Sequence, residues 1–404
     1  MAKKSNDRIK NISFLAFAFF VLACGFWIVR HMIPIADEEL HYKQIMGIVE
    51  GRNYFPDKCP YLPGYHWTMA CFSMLVHQAY GITMRIFTTL LSFLSVTSFF
   101  FLAKKIDPES AIRKSLLFVF FPFFLPFFPL IYTDIYSMMF IFLSMIFALK
   151  GRFWISGLVG ILGLLVRQNN IIWVLFIALI AYFEHCPPQQ RWKDIKSWIP
   201  KFTFFFLAIA LTIAFALWNK GLVLGDRTHH ELSLTCGNLF FMLFLFFFLF
   251  LPHNLSNFPK IVRFLKDNKL MWLVLAEIFL VYFLFFKANH PYNQMGRFFR
   301  NLFLWEILRT PVSKSLYFLP IAYSILSLCV TPLKSRSFYL LYPFTILFLI
   351  PLPLIEIRYE FIPLALFLLF KEPDSERITV FTLATYVVPS AIIIYSMTAE
   401  MFFP

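Results

Sequence analysis

The chain has 404 residues, 60% of them hydrophobic and only 14% charged, a balance that excludes an ordinary soluble globular protein and makes this an all-α polytopic membrane protein. The net charge of +14 would suit nucleic acid, but its lysines and arginines are dispersed through short loops between apolar runs. Cytoplasmic loops collect basic residues in that way, so the charge reports topology and contact with anionic membrane lipids, with no nucleic-acid partner.

Lys3, Lys4, Arg8 and Lys10 hold the N-terminus in the cytoplasm, and the apolar run 12–30 crosses outward. That run is too long for a removable signal peptide and stays as an anchor. Residues 31–66 follow as a polar outer loop rich in proline and tyrosine, the expected catalytic loop of a single domain spanning 1–404. Residues 67–80 read as an interfacial helix, and 85–103 spans inward to Lys104 and Lys105. The run 116–132 is broken by Pro122, Pro126 and Pro129, turns at Thr133-Asp134 and returns over 136–149.

Two short apolar helices, 153–166 and 171–183, flank an outer turn at Arg167-Gln168-Asn169-Asn170. Runs 202–218 and 236–251 enclose the polar stretch 225–231, and 270–286 leads outward to 289–292. An amphipathic segment, 300–314, lies along the outer interface. Spans at 316–330, 339–354, 361–370 and 378–397 complete about thirteen crossings, with the C-terminus outside. Every polar-dense motif therefore lies on the non-cytoplasmic face. The chain carries no Walker loop or dinucleotide glycine pattern, so no nucleotide cofactor is expected, while a divalent metal stays open. The six cysteines show no paired metal spacing and read as small packing hydrophobes.

The stretch Ile35-Ala36-Asp37-Glu38-Glu39-Leu40-His41 is the chemical centre. Adjacent carboxylates at a membrane surface repel each other and raise one another's pKa, which suits Asp37 or Glu38 to take a proton from a sugar hydroxyl. His41 stands four residues after Asp37, on the same helical face. A solvated helix start is the plain alternative. Arg167, with Gln168 and Asn170, is either a phosphate-binding group or a structural turn. Asp226, Arg227 and His229 suit contact with phosphate or sugar rather than zinc. His290 and Arg297 add positive charge to the next outer loop, and Arg358, between Glu356 and Glu360, is either an internal ion pair or a pyrophosphate clamp.

In order along the chain, Asp37-Glu38 with His41, Asp57, Pro63-Gly64-Tyr65, Arg167-Gln168-x-Asn170-Ile171-x-Trp173, Gly225-Asp226-Arg227-x-His229-His230, His290-Pro291-Tyr292 and Glu356-x-Arg358-Tyr359 resemble one family. It is the alpha-1,2-glucosyltransferase family of asparagine-linked glycosylation. The resemblance implies a GT-C type enzyme that inverts the sugar it moves from a polyprenyl or dolichyl phosphate donor to a lipid-linked glycan acceptor. It implies Asp37 and Glu38 for acceptor activation and Arg167, Gln168 and Asn170 toward the donor phosphate. It also implies a lumenal site in the endoplasmic reticulum membrane, or a periplasmic one in the inner membrane of a bacterium. Gly296 stands where the family carries an aspartate. A lipid-linked substrate flippase and a catalytically inactive membrane regulator are the competing readings.

Overall fold

A computed structural model describes residues 2–52, 59–78, 81–189, 195–225 and 232–403, and among them the chain is helical throughout, with no strand beyond two isolated bridges. Asp57, Asp226, Arg227 and His229 lie outside the described residues. The chain divides into two compact units, residues 1–119, 124–227 and 337–340 in the first and 120–123, 228–336 and 341–404 in the second.

Unit 1 contains α1 (Ala2–Val29), α2 (Asp37–Val49), α3 (Gly64–Leu75), α4 (Gly81–Ile106), α5 (Ala111–Val119), α6 (Thr133–Leu149), α7 (Phe153–Val166), α8 (Ile171–His185) and α9 (Thr203–Asn219). The stretch expected as an open outer loop thus folds into α2 and the start of α3. Its apolar residues are few, but Ile45, Tyr65, Met69 and Ala70 pack with Met84 of α4 and Ile131 in one buried cluster. That burial overrides the polar composition that reads as loop. The prolines act as expected: α5 stops at Val119 and the chain makes only a single 3-10 turn at Leu125–Phe127 before α6.

Helix α6 packs against α4 on one side and α7 on the other. Ser144 and Ser156 tie α6 to α7 reciprocally, each hydroxyl donating to the other residue's carbonyl at 2.9 and 2.8 Å. Small and hydroxylated residues at a helix contact are the usual glue where no hydrophobic driving force separates lipid from protein. Gly64 matters for a related reason: a Cβ there would stand 2.4 Å from the Leu165 carbonyl oxygen of α7. Gly64→Ala is expected to push α3 off α7 and cost about 1–3 kcal/mol, read as a lower thermal unfolding midpoint in detergent.

Unit 2 contains α10 (Gly237–Leu249), α11 (Leu251–Ser256), α12 (Phe258–Asp267), α13 (Leu270–Phe285), α14 (Phe299–Leu308), α15 (Pro311–Val330), α16 (Leu341–Leu349), α17 (Phe361–Phe370) and α18 (Glu376–Thr398). The amphipathic segment expected at 300–314 is two helices. The first stops at Leu308 and Thr310 caps the second, its hydroxyl accepting from the Ser313 N–H at 3.0 Å while its own N–H donates to the Ser313 hydroxyl at 2.9 Å. Pro311 follows at the first helical position, where its missing N–H costs nothing. Helix α12 meets α13 at 106°, the geometry of a broken span or a re-entrant turn.

Five helices among the described residues, Asp7–Val29, Gly81–Ile106, Lys196–Asn219, Pro311–Val330 and Glu376–Thr398, are long and apolar enough to cross a bilayer, or six with the bent pair. The expected thirteen is not reached on length alone. The further apolar helices, such as Thr133–Leu149 and Gly237–Leu249, are 10–17 residues long and span only where neighbours bury them or the bilayer thins.

At one end of unit 2, His253 Nδ1 meets Asp374 Oδ1 at 2.6 Å, its Nε2 meets the Thr331 hydroxyl at 3.0 Å, and Lys371 donates to Asp374 Oδ2 at 2.5 Å. Burial holds the His253 imidazole below its ordinary value of 6.5, against the pull of Asp374. Asp374 is raised by burial, but its hydrogen bond from His253 and the Lys371 charge leave it below the usual carboxylate range. Both groups bind fewer protons folded than unfolded. Their stabilisation is therefore complete above pH 6.5 and is lost as pH falls through the folded values, first at His253 and then at Asp374. The unfolding midpoint in detergent is expected to fall between about pH 7.5 and pH 5, and His253→Gln is expected to flatten that fall.

Candidate active site

In unit 1, Asp37, Glu38 and Glu39 occupy the first turn of α2, where the unpaired N–H groups of the helix favour negative charge. The residue before them, Ala36, has φ 50 and ψ −120, a left-handed conformation that a side chain strains. The turn is held from both sides. The Asp37 N–H donates to the Tyr132 hydroxyl at 3.1 Å, that hydroxyl donates to the Ile35 carbonyl at 3.2 Å, and the Ile35 N–H donates to Glu38 Oε2 at 3.1 Å.

The two carboxylates have different surroundings. Glu38 is fully buried and accepts from Arg85 at both oxygens, 3.3 Å from Nε and 2.8 Å from Nη2, and from the Ile131 N–H at 2.9 Å. Arg85 Nη1 in turn donates to the Val29 and Met32 carbonyls at 2.6 and 2.7 Å, closing the C-terminal end of α1. Glu38 is thereby committed to protein donors. Asp37 is half-buried, beside that anchor.

His41 is buried, with Nδ1 2.9 Å from His66 Nε2, and its ring stacks on Tyr61 at a centroid distance of 6.0 Å. Burial first, then His41, push the His66 imidazole well below its usual range, so it is neutral. Arg167 lies over the other partner of this aromatic group: its guanidinium is 4.6 Å from the Tyr61 ring centre and donates to the Tyr61 hydroxyl at 3.3 Å. The same guanidinium forms a buried ion pair with Asp134. Within unit 1 a relay of contacts runs from the Asp37 N–H through Tyr132, His41 and Tyr61 to the Arg167 guanidinium.

Gln168 donates from Nε2 to the Pro60 carbonyl at 2.6 Å, and its buried Oε1 has no hydrogen-bond partner among the described residues. Asn170 donates to the Ser137 hydroxyl at 2.7 Å and the Gly163 carbonyl at 2.8 Å, holding the break between α7 and α8.

Unit 2 carries the remaining described residues. Glu356 pairs with Arg300 at 2.9 Å and with Arg358 at 3.3 Å. Glu360 is fully buried, and burial together with Glu356 pushes its carboxyl well above the usual range. Asn293 donates to the Ile355 carbonyl at 2.9 Å and accepts from the Ile355 N–H at 3.1 Å, fastening the loop that begins at His290 to the segment that carries Glu356. His290 Nδ1 accepts from the Tyr292 N–H at 3.2 Å, and Arg297 is exposed.

Arg85, Tyr61, Tyr132 and Glu360 are the residues that sequence reasoning passed over. Arg85 reads as the start of an apolar helix and its partner is 47 residues away, so no local spacing reveals it. Glu360 was visible only as a flank of Arg358.

The model of the DIE2/ALG10 family matches residues 31–197 and 186–369. Among curated proteins, a Candida albicans protein named Dol-P-Glc:Glc(2)Man(9)GlcNAc(2)-PP-Dol alpha-1,2-glucosyltransferase is 27% identical over 62% of this chain and 60% of its own. A Debaryomyces hansenii protein of the same name is 24% identical over 64% and 62%, and a human one 26% identical over 91% and 90%. The match to this chain thus spans about 60% of the length of the two fungal relatives. No solved structure matches the chain significantly.

Proposed function

The chain belongs to the DIE2/ALG10 family, and from that premise we propose that it is a membrane glucosyltransferase. It moves glucose from dolichyl phosphate glucose to a lipid-linked oligosaccharide, on the lumenal face of the endoplasmic reticulum membrane. The observation that carries the reading is the half-buried Asp37, held at a helix N-terminus by Tyr132 beside the fully saturated Glu38. Asp37 is the general base: its carboxylate takes the proton of the acceptor hydroxyl. The hydroxyl oxygen bonds to the anomeric carbon of the donor glucose, the carbon–oxygen bond to phosphate breaks, and dolichyl phosphate leaves with the electron pair. Glu38 positions Asp37 and stays out of the proton transfer.

Within unit 2, Arg297, Arg358 and His290 are candidates for binding phosphate, and of the residues outside those described Arg227 and His229 suit phosphate while Asp226 suits a sugar hydroxyl. Arg167 is engaged with Asp134, so its part is to orient Tyr61. Unit 2 also holds an apolar cavity of about 560 Å³ lined by Phe240, Leu243, Val281, Leu328 and Phe367, which supports the binding of an isoprenoid chain.

The test is direct. Purified chain, dolichyl phosphate [14C]glucose and a lipid-linked oligosaccharide lacking its terminal glucose are incubated together. Label is expected in the oligosaccharide lipid and in the 2-position linkage after methylation analysis. Absence of transfer by folded protein overturns the proposal.

A further inference from the structure

Three soft-metal donors from separate stretches of unit 1 converge beside Asp37. His41 comes from the second turn of α2, Cys59 from the segment before α3, and His66 from the first turn of α3. All three side chains are buried, and their donor atoms lie within 4.8 Å of one another. The His41 and His66 nitrogens already face each other at 2.9 Å. Zinc bonds of about 2.0–2.1 Å to nitrogen and 2.3 Å to sulfur set ligand atoms roughly 3.3–3.7 Å apart, so the two nitrogens need to part by about 0.4 Å and the sulfur to approach by on the order of 1 Å.

We propose that His41, Cys59 and His66 bind one divalent cation of the zinc class, with the fourth position left to water or to a nearby carboxylate. Two imidazoles and a thiolate are a donor set that selects zinc over magnesium or calcium, which require oxygen. Binding releases the Cys59 proton to solvent and leaves sulfur on the metal. The site staples α2 to α3 and so fixes the first turn of α2. The proposal stands on the geometry of the three donors and does not depend on the glucosyltransferase reading.

The test uses the full-length chain in detergent, purified on a tag without histidine, stripped by chelator and titrated with Co2+ and then Zn2+. One cobalt per chain is expected, with thiolate-to-cobalt charge-transfer absorption in the near ultraviolet that zinc abolishes. Cys59→Ser removes the band, a variant keeping Cys59 as its sole cysteine retains it, and His66→Gln weakens zinc by more than the roughly 10–100-fold that loss of an outer-shell partner costs. A wild-type protein that folds but gives no thiolate band overturns the site, and so does a band that survives Cys59→Ser. Neither result bears on glucose transfer, which is assayed separately.

Discussion

Asp37→Asn is expected to lower glucose transfer on the order of 10²–10⁴-fold, the usual contribution of a general base, while leaving the unfolding midpoint near that of the parent chain. Asparagine keeps the shape of the side chain and leaves the backbone N–H that donates to Tyr132 untouched. The loss therefore isolates the proton-accepting carboxylate. Initial rates at saturating donor and acceptor are the measurement. A variant that retains more than about a tenth of the parent rate removes Asp37 from the role of base.

Arg85→Met is expected to act on folding. The side chain is buried, and its loss strands the Glu38 carboxylate without its cation and the Val29 and Met32 carbonyls without a donor. Breaking one side of a buried pair costs about 3–5 kcal/mol, because an uncompensated charge stays inside. Adding Glu38→Gln to Arg85→Met removes that charge and is expected to recover part of the loss, so the double variant unfolds at a higher temperature than the single one. Equal midpoints for the two would show that the ion pair is not what holds the turn. The asymmetry separates the roles of two neighbouring acids: one is needed for the chemistry, the other for the site to exist.

How much of this was legible depended on the range of the interaction. Apolar runs that bury themselves by local periodicity, such as those at Gly81–Ile106 and Phe361–Phe370, are legible because the bilayer demands them. Prolines at 122, 126 and 129 foretold the end of α5 for an equally local reason. Helices α2 and α3 were hidden in a stretch whose composition reads as loop, since their stability comes from packing on α4. The membrane and helical character of the chain was plain, but the number of crossings was not, because helices of 10–17 residues do not declare whether they span.

Site chemistry followed the same division. The Glu356–Arg358 pair, two residues apart, was one of two readings of its own spacing, whereas Arg300 joins it from a different helix. Arg167 stayed open between a phosphate group and a structural turn because Asp134, its partner in the first turn of α6, is 33 residues earlier. Cys59 read as a packing hydrophobe and His66 was passed over, because donors drawn from separate stretches have no sequence spacing to find.

The clamp around the first turn of α2 sets an order on biogenesis. Asp37 leaves the ribosome early, yet its geometry waits for Arg85, for the Ile131–Tyr132 strut, and for the Arg167–Asp134 pair that backs Tyr61. Until roughly two-fifths of the chain has been made, the first turn of α2 lacks part of this frame. A nascent chain truncated before residue 85 should therefore be a client of membrane chaperones, and one extended past residue 170 should not.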